Sequence, residues 1–227
     1  MAPQCLPTDV PYSYLGWDLN VTMFSESVLC ASLSSLGVSS CKTIFESLKN
    51  AYGAQDRHYH DQSHVSECLV HLGNTSHLAT RVSEVEIAIW FHDAIYDSTK
   101  GDNEERSADW AANYLSDEGI SKEIVSRIHD MIIATKTHVA KTDDEALLLD
   151  IDLGILGSSE ATFELYDQAI RSEYHWVPIE QYSAGRVGVL RSFLDRPRIY
   201  QTTHYYDALE QTARSNLARK IEEISNS

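Results

Sequence analysis

The twelve residues Val85–Tyr96 read VEIAIWFHDAIY, and they constrain the fold more than any other stretch. Each residue of a helix advances by about 100°, so the apolar side chains here cover every direction around the axis. That pattern marks a helix buried on all sides, and such a helix needs other helices around it. The chain supplies them. Helical spacing of apolar residues runs over about 23–52 and 62–80, and Asn103–Ser116 opens with a capping residue followed by acids. Ser121–Thr137, Asp144–Leu156, Thr162–Tyr174, Ser183–Asp195 and Thr203–Ile224 complete the set, with loops expected at Asp97–Asp102 and Tyr174–Ile179. Strand-like alternation is nearly absent, so the expected fold class is all-α. No repeat or linker divides the 227 residues, which read as one domain. Residues 1–16 form an N-terminal extension to a core of about 17–200, and the helix over 203–224 reads as a packing or dimer element.

Two polar residues, His92 and Asp93, are embedded in this apolar helix. A buried carboxylate without a partner costs several kcal/mol or becomes neutral, so the pair must be met by an ion pair, a hydrogen bond or a metal. The same argument applies to Asp150 and Asp152 in LLLDIDLGIL. Two residues apart, they face nearly opposite sides of a helix, and periodicity alone does not choose between them. A second His-Asp, His129-Asp130, differs in its setting: Ile124, Ile128, Met131 and Ile132 take one face and Asp130 the other, as expected of a solvated helix edge. Three histidines also crowd into RHYHDQSHV, where His60 and His64 are four apart and can address one centre while His58 points away.

Composition limits the partners. Eighteen Lys plus Arg against 34 Asp plus Glu leave a net charge of −16, which repels phosphate backbones and anionic membranes, so no nucleic acid is expected. A phosphorylated small molecule would need a local cation, either a metal or an arginine cluster. Hydrophobic content is 43% and no run approaches the ~20 apolar residues of a membrane span. The N-terminal residues lack the basic start and apolar stretch of a secretory signal, so a cytoplasmic location is expected. Cys5, Cys30, Cys41 and Cys68 are widely spaced and read as reduced thiols rather than a zinc knuckle or a disulfide framework.

The order His64, then His92-Asp93, then an aspartate in an apolar helix resembles the HD-domain superfamily of metal-dependent phosphohydrolases. The fuller run RHYHDQSHV, IAIWFHDAIYD, DNEERSA, ATKTH, LDIDLGILG, IRSEY and GRVGVLRSFL is similar to a group of predicted HD phosphohydrolases, from about Trp17 to about Tyr200. The resemblance implies a single-domain HD-type helical bundle with His64, His92, Asp93 and Asp152 as ligands of a divalent metal. Asp152 is preferred over Asp150 because the last aspartate of that superfamily is usually followed by an apolar residue. Two nitrogens and two oxygens suit Mn²⁺, Fe²⁺, Mg²⁺, Co²⁺ or Zn²⁺ without choosing among them.

YHDQSHV also resembles the YHNxxH segment of cyclic nucleotide phosphodiesterases, which implies that His60 is the acid that protonates the leaving oxygen. The alternative for His60 is a hydrogen bond to Asp93 or Asp152. Asp93 or Asp97 would take the proton of the attacking water. His138, with Glu104 or Glu105, would be placed for a second metal, although Glu104 and Glu105 equally suit a helix N-terminus. Arg171 and Arg186 are candidates for phosphate contact in a segment that is locally basic, against the alternative of surface ion pairs. Trp90, Tyr96 and Tyr174 either stack a base or belong to the core. The expected activity is hydrolysis of a phosphoester in a small phosphorylated metabolite, with a nucleotide as the expected class; the alternatives are a diiron HD-type oxygenase and a regulatory module that binds metal or ligand with weak turnover.

Overall fold

The structure, a computed structural model, describes residues 23–226. The expected N-terminal extension at 1–16, the first residues of the 17–200 core and Cys5 lie outside the described residues. Ten α-helices and two short 3-10 turns make up the regular structure, with no strand among the described residues. The helices are α1 (Glu26–Ser35), α2 (Lys42–Tyr52), α3 (Gln62–Thr75), α4 (Val82–Phe91) and α5 (Asn103–Asp117). They continue with α6 (Lys122–Ala134), α7 (Asp143–Asp152), α8 (Glu160–Glu173), α9 (Ile179–Leu194) and α10 (Thr203–Ser225). The all-α bundle is built around one hydrophobic core.

Helix α4 is its axis. Val85 and the run Ile87–Phe91 are all buried, and α4 packs against α1, α3, α5, α6 and α7. Trp90 is fully enclosed, 4.8 Å from the Phe24 ring and 6.4 Å from that of Phe45, so it belongs to the core and not to a ligand surface. The helix stops at Phe91, short of the Tyr96 expected from the apolar run, and His92 and Asp93 form the turn that follows. Its C-terminal end therefore opens inside the molecule. Helix α3 packs on both α4 and α7, which brings the N-terminal turn of α3 and the C-terminal ends of α4 and α7 together.

Local signals account for the other boundaries. Asp61 caps α3 by accepting from Ser63 N and His64 N, and Thr142, Ser159 and Thr202 cap α7, α8 and α10 in the same way. The single helical region expected over 23–52 is two helices, broken at a turn where Gly37 takes φ +95°. That turn folds α2 back on α1 and pairs Cys30 with Cys41, whose Cα atoms are 5.3 Å apart. The expectation of reduced thiols fails for these two because their spacing hides a helix reversal; Cys68 is free and buried. In α10, Tyr205, Leu209, Ala213, Leu217 and Ile221 turn inward, and the helix packs on α9 and on the 3-10 turn Leu153–Gly157. No helix among the described residues is long and apolar enough to cross a membrane.

The α10 contact is tight at one point. A Cβ on Gly157 would lie 2.6 Å from Leu209 Cβ and 2.9 Å from Tyr200 Oη. Gly157→Ala should therefore destabilise the protein by about 1–3 kcal/mol, as overpacking does, and lower its melting temperature by several degrees in a thermal scan.

Candidate metal centre

Four donor atoms meet where α3, α4 and α7 converge. His64 Nε2 and His92 Nε2 are 3.0 Å apart. Asp93 Oδ2 lies 3.0 Å from His92 Nε2 and 3.6 Å from His64 Nε2. Asp152 Oδ1 lies 3.1 Å from His64 Nε2 and 3.6 Å from His92 Nε2. Two donors held at 2.1 Å from one cation stand roughly 3.0 Å apart at right angles and roughly 3.4 Å apart in a tetrahedron, so the two imidazoles with either carboxylate fit a single small cation. Cys68, one turn beyond His64, sets its Sγ 3.9 Å from both ring nitrogens of His64. The buried group His64, Cys68, His92 and Asp152 could hold a metal ion.

The chemistry of the donors points the same way. His92 Nδ1 lies 2.8 Å from Ile89 O; a carbonyl only accepts, so Nδ1 carries the hydrogen and a neutral His92 turns its Nε2 lone pair to the centre. Burial pushes the Asp93 carboxyl up, but the charges of His92 and His60 outweigh it and hold Asp93 below the usual carboxylate range. For Asp152, burial is likewise outweighed by hydrogen bonds from His138, His64 and His92. His92 is raised, its burial overcome by Asp93 and Asp152. A metal bound among these donors would supply the positive charge the two carboxylates demand, in place of imidazole protons.

A second group sits beside the centre. Glu173, 2% exposed, turns one carboxylate oxygen to three successive amides: His58 N, Tyr59 N and His60 N donate to Oε1 at 2.9, 2.8 and 2.9 Å. Its Oε2 accepts from His60 Nδ1 at 2.7 Å and from Tyr96 Oη at 2.9 Å. The partner of His60 is thus Glu173, neither Asp93 nor Asp152, and Nε2 is left as the exchangeable site of a ring that lines the cavity. Burial lowers the His60 proton affinity, but Asp93 and Glu173 more than offset this and raise it. Burial also opposes the charge on Glu173, yet bonding to His60 and the amides draws its carboxyl down to about 2. Arg57, 8% exposed, grips the same loop from the other side, donating to His60 O, Asp93 O and Ala94 O at 2.9, 2.6 and 2.9 Å.

The centre opens on a cavity of about 700 Å³ lined by His60, Asp93, Asp152 and His138 and walled by α9. No protein-family model, curated protein or solved structure matches this chain.

Other predicted residues divide sharply. Asp152 faces the centre, whereas Asp150 accepts from Gln201 N, Thr202 N and Thr202 Oγ1 at 2.8, 2.7 and 2.6 Å, fastening α7 to the start of α10. His138 Nε2 lies 3.3 Å from the second oxygen of Asp152, and His138 holds a φ of +52°. Arg196 supports that conformation by donating to the carbonyls of His138 and Thr137, each at 3.0 Å. Glu104 lines the cavity, but Glu105 is taken up by Lys136. Asp97 is not brought to the site: its carboxylate accepts from Thr99 N and Thr99 Oγ1 and closes the loop after α4. Arg171 is also spent on structure, donating to Tyr174 O and Val177 O across the α8–α9 turn, while Arg186 lines the cavity. Tyr96 stacks on His60 at 4.3 Å, Tyr174 lines the cavity, His58 is exposed and the His129-Asp130 pair lies on the surface as expected.

Three residues here escaped the sequence reading: Arg57, Cys68 and Glu173. Cys68 is four residues from His64 on one helix, which places it on the same face. Glu173 continues the stripe of Phe163, Tyr166 and Ile170 along α8, so a carboxylate at a core-facing position was its available signal.

Two outcomes follow from this geometry. Asp152→Asn should abolish metal retention with little loss of stability, while Asp150→Ala should keep metal and lose about 2 kcal/mol for its unpaired amides; metal analysis alongside denaturant unfolding separates them. Glu173, depressed in the folded protein, contributes stability that is fully present above its unfolded value of 4.5 and lost as pH falls toward about 2. At about 1.4 kcal/mol per decade of proton affinity, that contribution is about 3 kcal/mol. Unfolding free energies measured from pH 6 down to roughly pH 3 should fall less steeply for Glu173→Gln than for the native chain.

Proposed function

We propose that this protein is a metal-dependent phosphohydrolase that cleaves a phosphoester of a small phosphorylated metabolite, with a nucleotide as the preferred class. The observation that carries this reading is the convergence of two imidazole Nε2 atoms and two carboxylate oxygens at 3.0–3.6 Å on a cavity whose wall bears the His60–Glu173 pair. His64, His92, Asp93 and Asp152 would hold the divalent metal, with Cys68 beside them. A cation bound there supplies a Lewis acid that makes water nucleophilic near neutral pH and offsets charge on phosphoryl oxygens.

The remaining work falls to side chains. Asp93, with 17% of its side chain exposed, would accept the proton of the attacking water. His60, hydrogen-bonded through Nδ1 to the Glu173 carboxylate that favours its protonated form and fixes the ring, would give a proton from Nε2 to the departing oxygen. Lys100, Lys136, Arg186 and Arg196 line the cavity and favour an anionic guest in an otherwise acidic protein. Tyr59, Tyr166, Tyr174 and Tyr182 line it too and offer rings on which a base can stack.

One contact favours a second reading. Asp152 turns its two oxygens to different imidazole groups, Oδ1 to His64 and His92 and Oδ2 to His138, an arrangement suited to bridging two cations. Two irons per chain with a mixed-valent diiron EPR signal would move the assignment from hydrolase to oxygenase.

The test is a panel of phosphoesters with Mn²⁺, Mg²⁺, Co²⁺ and Fe²⁺. Turnover is expected, and His92→Ala should abolish it with loss of metal; no turnover abolished by that change sinks the proposal. His60→Ala should keep its metal and lose about 10²–10⁴-fold in rate. Because His60 acts protonated and its proton affinity is raised, the native rate should fall as pH climbs through that raised value, and this alkaline limb should vanish in His60→Ala.

A further inference from the structure

The α9 wall of the cavity carries an anomaly that the metal centre does not explain. Among the described residues, five buried side-chain atoms lack a hydrogen-bond partner, and two of them, Arg186 Nη2 and Tyr182 Oη, sit one helical turn apart on α9. Both residues line the cavity. Arg186 is 6% exposed, so bulk water does not supply what Nη2 lacks. Its Nε donates to Asp167 Oδ1 at 2.8 Å, which balances the charge and aims the guanidinium; Tyr166 is a further hydrogen-bonding neighbour of the same group, and Nη2 is left without a partner. Tyr166 lies beneath, 5.1 Å from the guanidinium carbon, and Arg171 backs the Tyr182 ring at 4.5 Å. A buried donor fork with one arm unmatched is built to be completed by an acceptor that arrives with a ligand.

Aromatic side chains stand between Arg186 and the metal centre. Arg186 is separated from His64 by two tyrosine rings in series, Tyr166 to Tyr59 at 4.6 Å and Tyr59 to His64 at 4.8 Å. Along α9, Arg186 is seven residues from Phe193, about 10 Å at helical rise, and Phe193 is the residue that packs against His138 at 5.3 Å.

We propose that Arg186 and Tyr182 form a second anion subsite, and that the substrate is a phosphoester whose leaving group carries its own phosphate or carboxylate. The substrate class rests on the phosphohydrolase reading above; the subsite itself does not. It is a specificity site: the metal centre takes the scissile group, and Arg186 Nη2 with Tyr182 Oη takes the distal anion.

Inorganic phosphate is the probe, titrated calorimetrically into the full-length, metal-loaded protein. Two binding events are expected, of which Arg186→Gln removes one and leaves metal content unchanged. Tyr182→Phe, which deletes only a hydroxyl, should weaken that same event about tenfold or more. Retention of the Arg186-dependent event in Asp152→Asn supports a subsite independent of the metal, even where no turnover is found. Unchanged phosphate binding in Arg186→Gln overturns the proposal. If Arg186→Gln does not fold, unchanged binding in Tyr182→Phe overturns it instead. With substrates, native protein should favour alkanediol bisphosphates over alkyl monophosphates in kcat/KM, and Arg186→Gln should erase that preference; equal use of both by the native chain also overturns it.

Discussion

Positive charge has to sit between Asp93 and Asp152. Each carboxylate lies within 3.6 Å of the same two imidazole nitrogens, and neither has more than 17% of its side chain open to solvent. The backbone deepens the demand. His92 and Asp93 follow the C-terminal end of α4, and Asp152 is the last residue of α7, so two helices turn their partially negative ends to one point. In a chain of net charge −16, no surplus of remote cations relieves this. Much of the fold is the apparatus that creates it: α4 is enclosed by five other helices, which forces its end, and the polar residues there, into the interior.

A second pair of buried charges holds the neighbouring loop. Residues 57–61 make a turn with little regular structure, yet it is gripped on both sides, by the Arg57 guanidinium reaching carbonyls and by the Glu173 carboxylate collecting amides. Each charge is spread over three backbone dipoles, which compensates its burial better than one point contact would. The loop joins α2 to α3, while Arg57 also bonds Asp93 O and Glu173 comes from α8. His60 is therefore positioned by the same turn that carries His92 and Asp93, and by a helix more than a hundred residues away.

What was legible in the chain follows from how local each cause is. The buried helix and the all-α class were readable, because apolar periodicity records burial and a polar residue inside it, such as His92 or Asp93, records a partner; the grouping of these two with His64 and Asp152 came from the resemblance, since periodicity left Asp150 and Asp152 undecided. The Cys30–Cys41 pair was not, since a helix reversal at Gly37 is a tertiary event that spacing does not encode. Asp97 and Arg171 were misjudged for a shared reason: both are functional-looking residues beside turns, and short-range bonds to Thr99 or to the α8–α9 carbonyls consumed them. Arg186 has the same composition-level credentials as Arg171. It differs in standing on the face of α9 that meets the cavity, with Asp167 to anchor one arm.

Asp150 and Asp152 show how the centre is tied to the rest of the bundle. Two residues apart on α7, they do point to opposite sides, as the 100° step requires. Asp152 meets the imidazoles, and Asp150, fully buried, accepts three hydrogen bonds from Gln201 and Thr202 at the start of α10. Helix α7 is thus held from behind by one aspartate so that the other is presented at a fixed height and rotation. Thr202 also caps α10, and α10 in turn packs over Leu153–Gly157, the turn directly after Asp152, through the gap that only a glycine at 157 leaves open. Rotation of α7 about its axis would have to break the Asp150 bonds and the α10 contact together. The precision of a four-donor cluster, in which tenths of an ångström decide the fit to a cation, is in this way secured by contacts that never touch the cluster itself.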